Sequence, residues 1–115
     1  MTSIRILFAA TAAVFAVGAH AAGDAASGAK KNFQCQGCHG IPGWKTAFPE
    51  VYPVPKLGGQ HAQYIASSLK AYKTGERDHA TMRAIAADLS DQDIEDLAAY
   101  YGSVATKAAT AEKKK

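Results

Sequence analysis

The chain has 115 residues, a formal net charge of +3 at neutral pH and a charged fraction of 20%. No stretch of it is basic enough to indicate a nucleic-acid-binding surface. Once an N-terminal leader is set aside, about 94 residues remain, which suffice for one domain but bury only a small core unless a staple, a metal or a cofactor adds to it.

The N-terminus has the features of a secretory signal. Arg5 precedes a run of about 14 apolar or small residues, and Ala19-His20-Ala21 then forms a small-x-small cleavage site. The run is shorter than the roughly 20 residues that a membrane span needs. We therefore predict a cleaved signal peptide over 1–21, export to the periplasm, and no stable membrane insertion after cleavage.

The next segment predicts one short helix and then a long loop. Residues from Gly23 to Gln36 favour a helix that ends at the cysteines. All four prolines and several glycines fall between residues 40 and 60, where they exclude a regular helix or a central strand. A loop of this length is typical of a segment that covers something, and its large apolar side chains need an apolar partner: Trp44, Phe48, Tyr52 and Leu57.

Two further helices follow, with a brief helical piece at "MRAIAADL" between them. His61 to Thr74 is amphipathic and ends at Gly75, which we expect to act as a left-handed cap. Ser90 and Asp93 form a capping box at the start of the last helix. Four apolar residues of that helix follow the helical period: Ile94, Leu97, Ala98 and Tyr101. Residues 107–115 are predicted to be a basic, flexible tail.

The two cysteines, Cys35 and Cys38, are followed at once by His39. A disulfide oxidoreductase would need a buried strand before such a pair. A structural zinc site would have to recruit His61 and His79, which are far apart in sequence, and a plain disulfide would leave His39 unexplained. Covalent haem uses all three residues, because two thioethers consume the thiols while the adjacent imidazole binds the iron.

The second axial ligand of such a haem is predicted to be Met82. It is the only methionine left after signal cleavage, and it lies in the polar stretch "HATM", where a thioether has no other apolar role. His61 and His79 are the competing ligands. With both axial positions filled by protein the iron only exchanges electrons, so we predict an electron carrier. The alternative is a gas sensor or a peroxidase-like protein with an open or labile sixth site.

The order "CQGCH", "VPKLGGQ", "HATM" and "LSDQDIEDLAAYY" resembles the monohaem class I cytochromes c of bacteria, and also one half of the dihaem cytochromes c of proteobacteria. The resemblance implies a cytochrome c domain over 22–106. Its fold would be all-α, with three to four short helices and a long irregular loop wrapped around one covalently attached haem c. Cys35 and Cys38 would bind that haem, with His39 and Met82 as axial ligands.

The resemblance also implies roles for residues around the haem. The proline of a Pro-x-Leu segment lends its carbonyl to the ring of the proximal histidine; it matches Pro55, and Pro53 lies two residues earlier. Leu57 would pack on the haem, and we expect Leu69 to help enclose it. In this family the first and last helices cross, which points to Leu97 and Tyr100 against Gly28 and Phe33.

The partners implied are a reductase and an oxidase, either periplasmic or membrane-bound, that dock transiently at the haem edge. Four bases on or near one helix face would steer the protein toward an acidic partner, or would simply be a solvated face. These bases are Lys56, Lys70, Lys73 and Arg77.

Overall fold

The structure is a computed structural model that describes residues 22–41, 43–47 and 51–112, with side chains described as far as residue 104. The predicted signal peptide over 1–21 lies outside these residues. The described chain is mostly helical, which confirms the all-α prediction. Its elements are α1 (Ala25–Lys31), α2 (Phe33–His39), β1 (Lys45–Thr46), β2 (Tyr52–Pro53), α3 (Ala62–Thr74), α4 (Ala80–Ala87) and α5 (Asp91–Glu112).

The first predicted helix is two helices, α1 and α2, separated by Asn32. The Asn32 carbonyl accepts hydrogen bonds from the N–H groups of Cys35 at 2.9 Å and Gln36 at 3.0 Å, so a new helical turn starts there. The Asn32 side chain is buried. This break brings the described helices to five, in place of the three to four that we expected.

The loop contains a short hairpin that the sequence did not predict. β1 and β2 pair antiparallel, with Thr46 opposite Tyr52 and Lys45 opposite Pro53. Strands of two residues are too short to show alternating polarity. Proline is tolerated here because each strand of a two-stranded ribbon is an edge strand.

Helix α3 confirms the amphipathic helix predicted from His61 to Thr74. It begins after His61, which is the N-cap, and ends at Gly75, whose φ of 87° is left-handed as predicted. Ile65 and Leu69 are buried on its inner face.

Helix α5 opens with the predicted capping box. The Ser90 and Asp93 side chains bond at 2.6 Å, and the Asp93 N–H donates to Ser90 Oγ at 3.1 Å. The helical backbone runs on to Glu112; the domain boundary at 106 stays a prediction. The four apolar residues predicted for this helix are all buried: Ile94, Leu97, Ala98 and Tyr101.

The core lies where α3 packs on α5, with α1 on α5 at another side and α4 on α3. Helices α1 and α5 approach closely at Gly28, where a Cβ would lie 2.1 Å from the Asp96 carbonyl oxygen and 2.7 Å from Tyr100 Cβ. This confirms the predicted contact of Gly28 with Tyr100. Phe33, which we also expected at the helix crossing, is 64% exposed because it begins α2 beyond the break.

A buried carboxylate holds α1 against α5. The Asp96 side chain, only 4% exposed, accepts hydrogen bonds from Lys31 Nζ at 2.7 Å and from the Asp24 N–H at 2.8 Å. Gln92 Nε2 donates to it at 2.8 Å. Lys31 and the Asp24 N–H together lower the pKa of Asp96 to about 2. Lys31 also bonds Asp93 at 2.7 Å and is the main cause of the lowered pKa of that carboxyl.

Between residues 22 and 112, as far as the structure describes them, no helix combines the length and the apolar character needed to cross a membrane.

Candidate functional site

The two cysteines lie one helical turn apart on α2 and are unpaired. Residues at i and i+3 project from the same side of a helix, so both thiols face one region. Each is half-buried. The plain disulfide that we considered is not formed in this structure.

Cys35 packs against the hydrophobic core. Burial raises the pKa of its thiol, and the neighbouring Tyr101 hydroxyl offsets part of that rise. The pKa of Tyr101 is raised as well, mainly by burial and to a lesser degree by the nearby Cys35. A hydrogen bond between Asn32 and the Tyr101 hydroxyl opposes this rise. Two buried polar residues therefore adjoin Cys35: the Tyr101 hydroxyl lies at its thiol, and the Asn32 carbonyl accepts its backbone N–H at 2.9 Å.

His39 is the last residue of α2, and its Nδ1 lies 2.7 Å from the carbonyl oxygen of Pro55. A carbonyl only accepts, so Nδ1 carries the proton and Nε2 keeps its lone pair free to bind a metal. Pro53 is paired with Lys45 in the hairpin. The acceptor is Pro55, which we had matched to the Pro-x-Leu segment, and not Pro53.

The hairpin brings Pro55 to this position. The Val54 N–H donates to the Trp44 carbonyl at 2.9 Å, which extends the pairing of β1 with β2 by one bond. Pro55 follows directly. Trp44, which we expected to help enclose a cofactor, is 42% exposed.

Three of the predicted binding residues meet at the core. Leu69 is a buried member of it, and both Leu57 and Met82 are half-buried and pack against it. Cys35 packs against the same cluster. Met82 and the first cysteine thus pack against the same hydrophobic cluster, although they are distant in sequence.

Met82 lies in the first turn of α4, and its N–H donates to His79 Nδ1 at 3.4 Å. His79 is the N-cap of that helix, and the Tyr52 ring lies edge-on to it with centroids 5.4 Å apart. We had considered His79 as a competing axial ligand and as a possible zinc ligand. Nothing in the local sequence marks His79 as a cap, because the usual N-cap residues are Ser, Thr, Asp and Asn.

The zinc interpretation finds no ligand set in the described part of the chain. His61 occupies the N-cap position of α3, without a cap hydrogen bond from its side chain. No three His, Cys, Asp or Glu side chains of the described residues come together as metal ligands, so neither His61 nor His79 completes a site with the cysteines.

The bases expected to steer a partner are largely engaged within the molecule. Lys70 Nζ bonds Glu95 at 2.7 Å, and Lys73 Nζ donates to the Leu89 carbonyl. The guanidinium of Arg77 lies 4.6 Å from the centre of the Tyr72 ring. Lys56 is exposed. Glu95 offsets the charge of Lys70, whereas the contacts of Lys73 and Arg77 leave their charges at the surface.

The donor set fits a covalently bound haem. Two unpaired thiols on one side of a helix suit two thioether bonds, and the adjacent imidazole has one ring nitrogen fixed by a carbonyl and the other free. Helix α2 itself contains no buried residue. A flat apolar group bound along this side would supply the packing that the other helices do not give it.

Comparison with known proteins gives the same result. The family model for cytochrome c matches residues 25–105. Over 85 residues the chain is 48% identical to cytochrome c-554(548) of Halomonas halodenitrificans, which covers 71% of this chain and 98% of that protein. It is 44% identical over 85 residues to cytochrome c4 of Pseudomonas aeruginosa, covering 74% of this chain but only 40% of that longer protein.

A more distant relative is described as a thiosulfate dehydrogenase electron acceptor, from Stutzerimonas stutzeri; it is 32% identical over 77 residues, which are 64% of this chain and 34% of that protein. The match of the family model and the match to nearly all of one relative agree with the residues found on α2. The chain belongs to the cytochrome c family of class I type, and it is an electron carrier whose haem c is bound covalently through Cys35 and Cys38.

Proposed function

We propose that this protein is a periplasmic electron-transfer protein in which His39 and Met82 are the two axial ligands of a single haem c. It shuttles electrons between redox partner proteins and turns over no substrate of its own. Two observations support this proposal: His39 Nδ1 is bonded to the Pro55 carbonyl, which leaves Nε2 free, and Met82 packs against the same hydrophobic cluster as Cys35.

His39 is supported as the proximal ligand by its bond to Pro55. The 2.7 Å contact at Nδ1 fixes both the tautomer and the plane of the ring. A fixed ring keeps Nε2 in one place, and the carbonyl makes that nitrogen a better donor to iron.

Met82 is supported as the distal ligand by its position on the core. It packs against the same cluster as Cys35 and Leu57, and it is the only methionine among residues 22–112. A thioether is a soft donor that favours ferrous iron and raises the reduction potential.

The bound haem supplies one-electron exchange between ferric and ferrous iron. The chain's own residues keep that exchange free of other chemistry. With both bound to iron, His39 and Met82 would leave no vacant position for oxygen or peroxide. Leu69 in the core cluster and Leu57 packed against it would give the haem an apolar surface.

The partners that we propose are redox proteins that dock briefly. Among the relatives, one is described as an electron acceptor of a dehydrogenase and another as the cytochrome subunit of sulfide dehydrogenase. Fast exchange of this kind needs only a small interface. Location in the periplasm rests on the signal sequence predicted over 1–21.

Replacement of the proposed ligand tests the function directly. In haem-loaded Met82→Ala we expect the weak red absorption band of an iron–sulfur bond to disappear. The reduction potential should fall by more than about 59 mV, which is a tenfold change in a one-electron equilibrium. Potentiometric titration and ferric absorption spectra measure both.

Leu89→Ala is the matched control, because Leu89 is half-buried against the same core. It removes similar packing and should keep the band and most of the potential. If Met82→Ala keeps both as well, Met82 is not the ligand. A high-spin spectrum of the unmodified protein, with fast binding of added cyanide or carbon monoxide, would instead favour the sensor or peroxidase-like alternative.

A further inference from the structure

His79 caps α4 in a way that bears on the proposed ligand. Its backbone is extended, with φ −165° and ψ 108°, and its Nδ1 accepts the hydrogen bond of the Met82 N–H at 3.4 Å. N-caps are usually Ser, Thr, Asp or Asn. The imidazole serves in this role only while its Nδ1 faces the Met82 N–H.

Tyr52 provides that orientation. Its ring lies edge-on to the His79 ring, with centroids 5.4 Å apart and an interplanar angle of 64°. Edge-to-face pairs of this geometry are favourable. This contact with the Tyr52 ring therefore limits how far the imidazole of His79 can rotate.

The backbone of Tyr52 is fixed in turn by the hairpin. Its N–H donates to Thr46 Oγ1 at 3.1 Å, and the same hydroxyl lies 3.3 Å from the Tyr52 carbonyl. Tyr52 is also opposite Thr46 in the β1–β2 pairing. This hairpin leads directly into Pro55, which binds His39. One short ribbon thus reaches both the proximal histidine and the helix that carries Met82.

We propose that His79 is a positioning residue for Met82, and that Tyr52 holds the His79 ring in place for this purpose. The inference rests on the proposed role of Met82 as axial ligand. The Met82 N–H is one of the four that an α-helix leaves without an internal partner. With His79 bound to it, the first turn of α4 is closed and the Met82 side chain starts from a fixed backbone; without the cap the turn frays and the thioether leaves the iron more often.

The haem-loaded protein allows a direct test with added imidazole, which binds ferric iron only when the native ligand has left. In His79→Ala we expect the apparent affinity for imidazole to rise roughly two- to thirtyfold, the range that follows from the loss of one N-cap bond. The iron–sulfur band should weaken by a corresponding fraction. Tyr52→Leu should move both quantities in the same direction by a smaller factor.

Two variants serve as controls. His79→Asn supplies an ordinary cap without a ring and should restore the affinity for imidazole to within about threefold of the parent, because Asn is among the best N-cap residues. His61→Ala removes the other N-cap histidine, whose side chain makes no cap hydrogen bond, and should change nothing. If His79 were itself an iron ligand, Asn would not rescue the spectrum.

Hydrogen exchange gives a readout that does not depend on ligand exchange. The Met82 amide should lose protection roughly two- to thirtyfold in His79→Ala and recover it in His79→Asn. Unchanged Met82 protection and unchanged imidazole affinity in His79→Ala would overturn the positioning role while leaving Met82 as ligand. If Met82→Ala itself kept the iron–sulfur band, the proposed function would fail, and the positioning role with it.

Discussion

At the scale of single residues, the chemistry of the site was readable where its parts are adjacent in sequence. Cys35, Cys38 and His39 lie within five residues of one another on α2, so their spacing alone indicated that they belong to one site. The Pro55 carbonyl and the capping role of His79 depend on where a loop folds back. Spacing does not contain that information, and only the resemblance favoured Pro55.

The Asp96 carboxylate gives a residue-scale prediction for stability. At pH 7 we expect Asp96→Asn to lower the free energy of unfolding by about 1 kcal/mol, through loss of a charge-assisted bond whose lysine is 36% exposed to water. Denaturant titration of the haem-loaded protein measures this. Glu76→Gln removes the same charge from an exposed position and should change stability by less than about 0.5 kcal/mol.

The effect of Asp96→Asn should also depend on pH. The folded-state pKa of Asp96, about 2, lies below its ordinary value of 3.8. The ionised carboxylate therefore stabilises the fold at neutral pH, and that contribution is lost as the pH falls from about 4 through about 2. The difference between parent and variant should shrink over this window. A difference that stays constant from pH 7 to pH 2 would contradict the role of the ion pair.

At the scale of elements, helical periodicity predicted α3 and α5 well, because their apolar faces and end caps lie within one continuous stretch. The break at Asn32 was not predicted, since neither proline nor glycine marks it and the decisive feature is a buried side chain. The β1–β2 hairpin was not predicted either, for a different reason. Strands of two residues carry no periodic pattern, and proline argued against any strand there.

The close approach of α1 and α5 gives an element-scale prediction. We expect Gly28→Ala to destabilise the protein by about 1–3 kcal/mol or more, because its Cβ would meet the Asp96 carbonyl oxygen at 2.1 Å, and backbone cannot rotate away as a side chain can. Thermal unfolding of the haem-loaded variant measures the loss.

Gly37→Ala is the matched control within α2. Nothing lies within 4 Å of its added Cβ, so the substitution should be neutral or should stabilise by up to about 1 kcal/mol through helix propensity. Equal losses in the two variants would mean that the helix crossing does not limit residue 28.

At the scale of the whole molecule, length and the need for an added core component predicted a cofactor-dependent fold. The eight buried apolar residues of the described chain form a small core. Helices α1, α2 and α4 have 7, 7 and 8 residues, and isolated helices shorter than about 12 residues are unstable in water. Only the family resemblance predicted how the first and last helices cross.

Loss of haem attachment should therefore unfold much of the protein. For the double variant Cys35→Ala/Cys38→Ala we expect a mass without haem, a reduced far-ultraviolet helical signal and no cooperative thermal transition, because the cofactor completes the core. Mass spectrometry and circular dichroism measure these changes. Gln36→Ala, on the exposed side of the same helix, should keep the haem and the transition; a compact, sharply melting apoprotein would contradict the expectation.

The turn at Asn32 divides the first helical segment into two parts with separate tasks. Before it, α1 rests on α5 through Gly28 and the Asp96 carboxylate. After it, α2 carries Cys35, Cys38 and His39 and has no buried residue of its own. Engineering can therefore treat the two halves independently: changes before residue 32 should alter the melting temperature at constant colour, while changes after it should alter the spectrum first.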